Sequence, residues 1–201
     1  TNPFNAIKAF EHELCAFTGA PYCVTTDACT HAIEIAFRIL HDDSEIQFPA
    51  HTYLSVPMTF KKINLNFRLT DQHWKHYYQF QNSNIWDYAR YLKKDMYKKG
   101  QIQCVSFGRT KPLEIGFGGC LLTDDINLYH RASRMRSDGR DLFGYTKWEN
   151  QPDFEIGFHY TLRPEECVIG LNKLINRSFT EQHMTSIDYP DCRKIKFLND
   201  D

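Results

Sequence analysis

The stretch "SFGRTKPLEIGFGG", Ser106 to Gly119, joins two compact β-rich runs, "IQCVSF" and "GGCLLTDD", and sets one lysine before a cluster of glycines. Gly116 to Gly119 let the chain turn tightly back into "CLLT"; they do not read as a phosphate loop. Lys111 has two readings. With 24 basic residues in the chain, composition favours a solvated loop lysine. A lysine at the end of an apolar strand is also placed for chemistry, so its neighbours must decide.

Outward from this loop, strand and helix patterns alternate. "FNAIKAFEHELCAFTGA" has Phe4, Ile7, Phe10, Leu14 and Phe17 at helical spacing, with Gly19 where a helix would stop. "YCVTT" reads as a strand, "DACT" as a turn and "HAIEIAFRIL" as a helix with Ile33, Ala36, Phe37 and Leu40 on one face. "EIQFPAHTY", "NLNFRLTD" and "SNIWDYA" supply further strands. A helix is expected from about Asp124 to Arg136, an irregular excursion follows, and "RPEECVIGLNKLI" returns to helix with Pro164 in its first turn. The tail "SIDYPDCRKIKFLNDD" is polar and reads as uninformative.

This alternation predicts an α/β fold with a mostly parallel sheet covered on both faces. In such sheets ligands bind at the carboxyl ends of strands. Thr26 and Asp27, His51 to Tyr53, Asp87, and Ser106 with Lys111 all punctuate strand ends. At 201 residues, one domain over 1–201 is expected, with 176–201 as its tail. The 25 acidic residues nearly cancel the 24 basic ones, which argues against an electrostatic hold on nucleic acid and for a small molecule or another chain as partner. Seven cysteines, none spaced CxxC, suggest a reducing compartment, and no apolar run approaches the roughly 18 residues of a membrane span. A cytoplasmic protein is expected.

In order, "FEHELCAFTGAPYCV", "ACTHAIEIAFRIL", "FPAHTYLSVP", "IWDYA", "SFGRTK", "GGCLLTDD" and "IGFHYTLRPEECVIGL" resemble the DegT/DnrJ/StrS-type sugar aminotransferases. These are pyridoxal 5'-phosphate (PLP) enzymes of fold type I. The resemblance runs from about Phe10 to Leu174. It implies a three-layer α/β/α large domain with the C-terminal small domain largely absent, and a homodimer with shared active sites. It also implies one sheet element lost between "FRLTD" and "NIWDYA", where only "QHWKHYYQFQNS" intervenes.

The resemblance carries roles to single residues. Lys111 matches the Schiff-base lysine, whose amine forms an imine with the cofactor aldehyde and then moves the substrate proton. Asp87 matches the aspartate paired with the pyridine nitrogen; alone it would as readily be a helix cap. Cys29 and Thr30 fit a phosphate-facing helix N-terminus, with cysteine where glycine is usual. Ser106 matches a phosphate-binding serine, against the plain reading of a small strand-end residue. Tyr53 matches the aromatic that stacks on the ring. Arg90 stands where glutamine or histidine flanks the phenolic oxygen. His159 stands where asparagine reaches the neighbouring subunit's phosphate, and a plain surface histidine remains open. The expected activity is transfer of an amino group, from glutamate, to a nucleotide-linked keto sugar. The alternative is a homologue that binds PLP or a nucleotide sugar without turnover, or serves as an assembly partner.

Overall fold

Alternation along the central strands sorts their side chains into two cores, one on each face of the sheet. The computed structural model describes residues 2, 4–40, 44–144 and 146–198. Strands β1 (Tyr22–Thr26), β5 (Ile85–Asp87), β6 (Ile102–Ser106) and β7 (Gly119–Thr123) carry these residues. Val24, Ile102, Cys104 and Leu121 point to one core; Cys23, Val105, Cys120 and Leu122 point to the other. Both faces are therefore covered, which is why the strands read as unbroken apolar runs.

On the first face lie α2 (Cys29–Leu40), α3 (Ser55–Lys62) and α4 (Ile126–Met135), contributing Ile33, Phe37, Phe60 and Ala132. On the second lie α1 (Asn5–Thr18) and α5 (Pro164–Ile175), contributing Phe10, Leu14, Cys167 and Leu174. The expected three layers are present. Helix α1 stops at Gly19, whose φ of 81° accepts the left-handed turn. Helix α4 starts at Asp125, whose carboxylate accepts from the amides of Asn127 and Leu128. Helix α3 was not anticipated. Pro57 stands at its third position, inside the first turn where a missing N–H costs nothing, and Val56 and Phe60 supply its buried face.

The main sheet has the order β1-β7-β6-β5-β4, with β4 (Tyr78–Gln79) at the edge. Strands β5 and β6 are parallel; β7 is antiparallel to both β1 and β6, and β4 is antiparallel to β5. Strands β2 (Ile46–Pro49) and β3 (Phe67–Thr70) form a separate parallel pair, linked to the main sheet by an antiparallel bridge from Gln47 to Gln81. That bridge runs β2 in the same sense as β5, so β4 and β7 are the reversed strands of a mixed sheet. Between β3 and β5 stands only the two-residue β4 with turns, in the interval where a lost element was expected.

The tail is not inert. Three short 3-10 turns carry it along the end of β2, burying Ser186, Cys192 and Leu198. Cys192 donates its amide to the Ala50 carbonyl, and His51 pairs with Asp191. All seven cysteines are free and six are buried. Among the described residues no helix is long and apolar enough to cross a membrane.

Candidate functional site

Strands β1, β6 and β5 run in the same sense, so Thr26, Ser106 and Asp87 end at one edge of the sheet. Gly119 opens β7 between them, opposite both Thr26 and Ser106. A Cβ on Gly119 would stand 2.4 Å from the Cys29 amide nitrogen and 2.6 Å from the Val105 carbonyl oxygen. Glycine there lets the N-terminus of α2 sit against the strand ends. The bareness of Gly119, rather than turn-making alone, is what part of the glycine cluster provides.

At this edge lies a cavity of about 500 Å³. Of the eight candidate residues, seven line it: Cys29, Thr30, Tyr53, Asp87, Arg90, Ser106 and Lys111. His159 does not. It is exposed, in a left-handed conformation with φ of 57°, and its amide donates to the Ser137 carbonyl.

Asp87 is buried at 6% exposure and accepts from the Ala89 amide and from the Tyr78 hydroxyl, both at 2.8 Å. Burial pushes its carboxyl above the ordinary carboxylate range, against the pull of these two donors and of the Lys111 and Arg90 cations. Tyr78 in turn lies 2.7 Å from Thr52 Oγ1. Since the tyrosine proton goes to Asp87, Thr52 is the donor in that contact. The result is a buried relay, Thr52 to Tyr78 to Asp87, that fixes the carboxylate's orientation.

Lys111 faces this carboxylate from the loop after β6. Burial, then the Arg90 cation, lower the pKa of its amine, while the Asp87 carboxylate pulls the other way. A lysine with a depressed pKa holds more free amine near neutral pH, the form that acts as nucleophile or base. The loop is strained beside it, because Thr110 has φ of 64°. Arg90 Nη1 donates to the Thr110 carbonyl at 2.9 Å and to Gln182 Oε1 at 3.0 Å, and Arg90 Nε donates to the Tyr189 hydroxyl at 2.8 Å.

The anion-binding end is built by α2. The amides of Cys29 and Thr30 begin the helix and make no intramolecular hydrogen bond among the described residues, as first-turn donors do. Thr30 Oγ1 lies 2.7 Å from Ser55 Oγ at the start of α3, and both hydroxyls line the cavity. Ser106 Oγ accepts weakly from the Gly108 amide at 3.4 Å. Burial drives the Cys29 thiol well above its ordinary pKa, so this residue adds no negative charge. Two hydroxyls, two free amides and a helix N-terminus suit a phosphate group. Tyr53 stands at the mouth, 64% exposed.

Thr52, Ser55, Trp74, Tyr78 and Tyr189 also line the cavity and were not singled out. Thr52 lay inside the strand-end triplet His51 to Tyr53. Tyr78 and Tyr189 carried no signal, because their value depends on which chain segments meet.

Such a cavity, with a buried carboxylate, an amine and a free helix N-terminus gathered at the strand ends, marks an α/β protein with a ligand site at the carboxyl edge of its sheet. Residues 1–78 and 87–186 match the DegT/DnrJ/EryC1/StrS aminotransferase family, and the chain belongs to that family. The match omits 79–86, within the shortened stretch after β3, and ends before Tyr189. Over 86 residues the chain is 28% identical to the UDP-4-amino-4,6-dideoxy-N-acetyl-beta-L-altrosamine transaminase of Campylobacter jejuni, covering 43% of this chain and 22% of the relative. Its fold is similar to AtS13 from Actinomadura melliaura, with a TM-score of 0.69 at 17% identity over 85% of this chain and 59% of that one. It is also similar to NtdA from Bacillus subtilis with bound cofactor PMP, with a TM-score of 0.65 at 15% identity over 84% and 47%. The chain thus spans less than two thirds of each.

Proposed function

We propose that the protein is a PLP-dependent aminotransferase that moves an amino group, from glutamate, onto a nucleotide-linked keto sugar. The observation that carries this reading is one cavity lined together by the Lys111 amine, the buried, relay-held Asp87 and the free amides that begin α2. The family membership and the sugar transaminase relative support the reaction class.

The residues fit the cofactor. The amides of Cys29 and Thr30 with the hydroxyls of Thr30, Ser55 and Ser106 would hold its phosphate, Asp87 would keep its ring nitrogen protonated, and Tyr53 would cover one ring face. When bound, PLP supplies an aldehyde and an electron-accepting ring. Lys111 would hold it through its amine and would serve as the base that carries the substrate proton. The Thr52 to Tyr78 to Asp87 relay holds the carboxylate in place. Arg90, already committed to Thr110, Gln182 and Tyr189, orders the lysine loop and would add positive charge to the cavity that holds the cofactor.

We also propose a homodimer with shared sites. Tyr53, Leu54 and Phe117 are exposed apolar groups, with Tyr53 and Phe117 on the cavity wall itself. His159, outside its own cavity, is then free to reach a partner's phosphate. Light scattering at micromolar concentration checks the dimer, and a monomer would remove this part.

For the reaction, titration with PLP should raise a visible absorbance band in the wild type and none in Lys111→Ala. Adding glutamate should then bleach it. A band that forms but resists every amino donor would favour the non-catalytic binding reading.

A further inference from the structure

The segment after Ser186 lies beyond the family match, yet it contributes Tyr189 to the lining of the cavity. Its attachment is specific. His51 Nδ1 donates to the Tyr189 carbonyl at 2.7 Å, Cys192 donates its amide to Ala50 at 3.0 Å, and Arg193 pairs with Asp71 at 2.7 Å. The Tyr189 ring packs 5.5 Å from Trp74, and its hydroxyl accepts from Arg90. Arg90 is itself buried at 8% exposure and bonds to the carbonyl of Thr110, the strained residue directly before Lys111. A left-handed threonine persists only when its surroundings hold it.

We propose that Tyr189 is a positioning residue: its hydroxyl fixes the Arg90 guanidinium, which holds the Thr110 carbonyl and with it the loop that presents Lys111 to the cavity. The inference rests on the reading of Lys111 as the reactive amine. It adds that a segment outside the family pattern sets that amine's geometry. Burial raises the Tyr189 pKa, so the hydroxyl stays a neutral dipole beside Arg90. The charges acting on Lys111 are Arg90 and Asp87; Tyr78 stands behind Asp87, and the neutral Cys29 thiol, Asp27, Tyr53, His76 and Arg109 complete the charged and titratable lining around Tyr189.

The fixed Arg90 cation repels the Lys111 ammonium. Release of Arg90 should let the Lys111 pKa rise, because the cation then spends time away from the amine. The test uses the apo protein: trace acetylation of Lys111 with acetic anhydride against pH, read by mass spectrometry, in wild type, Tyr189→Phe and Arg90→Gln. Phenylalanine keeps the ring on Trp74 and removes only the hydroxyl. Tyr189→Phe should shift the Lys111 profile to higher pH and slow its acetylation near neutral pH about threefold, the change a half-unit rise gives. Arg90→Gln should shift it at least as far.

The affinity for PLP in Tyr189→Phe should also fall about threefold. If the Tyr189→Phe profile superimposes on wild type, the proposal is overturned, whether or not the melting temperature drops, because packing alone would then explain Tyr189. A wild type that gains no visible band with PLP defeats the functional reading instead. The Lys111 profile would still decide the role of Tyr189.

Discussion

The two walls of the cavity are held together differently. The wall made by β5, β6 and the start of α2 grows out of both cores, and its polar groups are buried: Asp87 rests on the Tyr78 relay, and Gly119 is pressed against the α2 backbone. The side where the tail brings Tyr189 is fastened to the body by polar contacts, His51 to Tyr189 and Arg193 to Asp71, with Asp191 steadying Arg193 within the tail. The first wall owes its geometry to packing in both cores; the second adds to the packing of Tyr189 and Cys192 a set of polar contacts that water contests. Chemistry that needs a fixed carboxylate belongs to the first. Adjustment of the lysine loop belongs to the second.

The sharpest break between the walls is at the reactive groups. Lys111→Ala should abolish the visible PLP band and cut turnover by about 10²–10⁴-fold or more, while a urea melt stays near wild type. A variant that keeps the band would place the anchor elsewhere.

Packing on the first wall is tested by Gly119→Ala, whose added methyl meets backbone atoms that cannot swing aside. A loss of about 3 kcal/mol in urea unfolding is expected, at the upper end of overpacking costs. A loss under about 0.5 kcal/mol would mean that α2 relaxes away from β7 at little cost.

Tyr78→Phe removes the donor to Asp87 and orphans Thr52 Oγ1. It should cost about 1–2 kcal/mol of stability. It should also raise the Asp87 pKa further, because one of the contacts that opposes burial is gone. In a pH titration of PLP binding, the limb set by Asp87 should move to higher pH; an unmoved limb would show that Tyr78 only fills space.

The smallest effect is expected on the tail wall. Asp191 is held down to about 2 by Arg193, from an ordinary value of 3.8. A carboxylate with a lowered folded pKa contributes stability above its unfolded value and loses it as pH falls through the folded one. The tail should therefore loosen between about pH 4 and pH 2, seen as faster exchange of the Cys192 amide while the β6 amides stay protected. Asp191→Asn should remove this acid step and cost less than about 1 kcal/mol at neutral pH. Equal acid loosening of β6 would erase the distinction between the walls.

Elements built from local pattern were legible before the structure. Helix α1 with its Gly19 stop, strand β6 and helix α5 with Pro164 all lie where periodicity and caps put them. Helix α3 escaped because "SVPMTFKK" is short and mixes a proline with two lysines. At the site, Asp87 and Ser106 were visible because each closes an apolar strand, and Lys111 because it lies in the short loop between the Ser106 strand and the glycine cluster. Tyr78 was not, since it follows "HWKHY" with no pattern, and only the two-residue β4 turns its hydroxyl toward Asp87.

The amino-acid sequence by itself determined the α/β class, the order of its strands and helices along the chain, and the candidate residues at the strand ends, because apolar periodicity and punctuation are local properties. Tertiary structure alone decided that Arg90 bonds to the lysine loop, that Thr52 supports Asp87 through Tyr78, and that the tail brings Tyr189 to the cavity. Those contacts join positions far apart in the chain, such as Arg90 with Tyr189, and no local pattern encodes the closure of a loop that long.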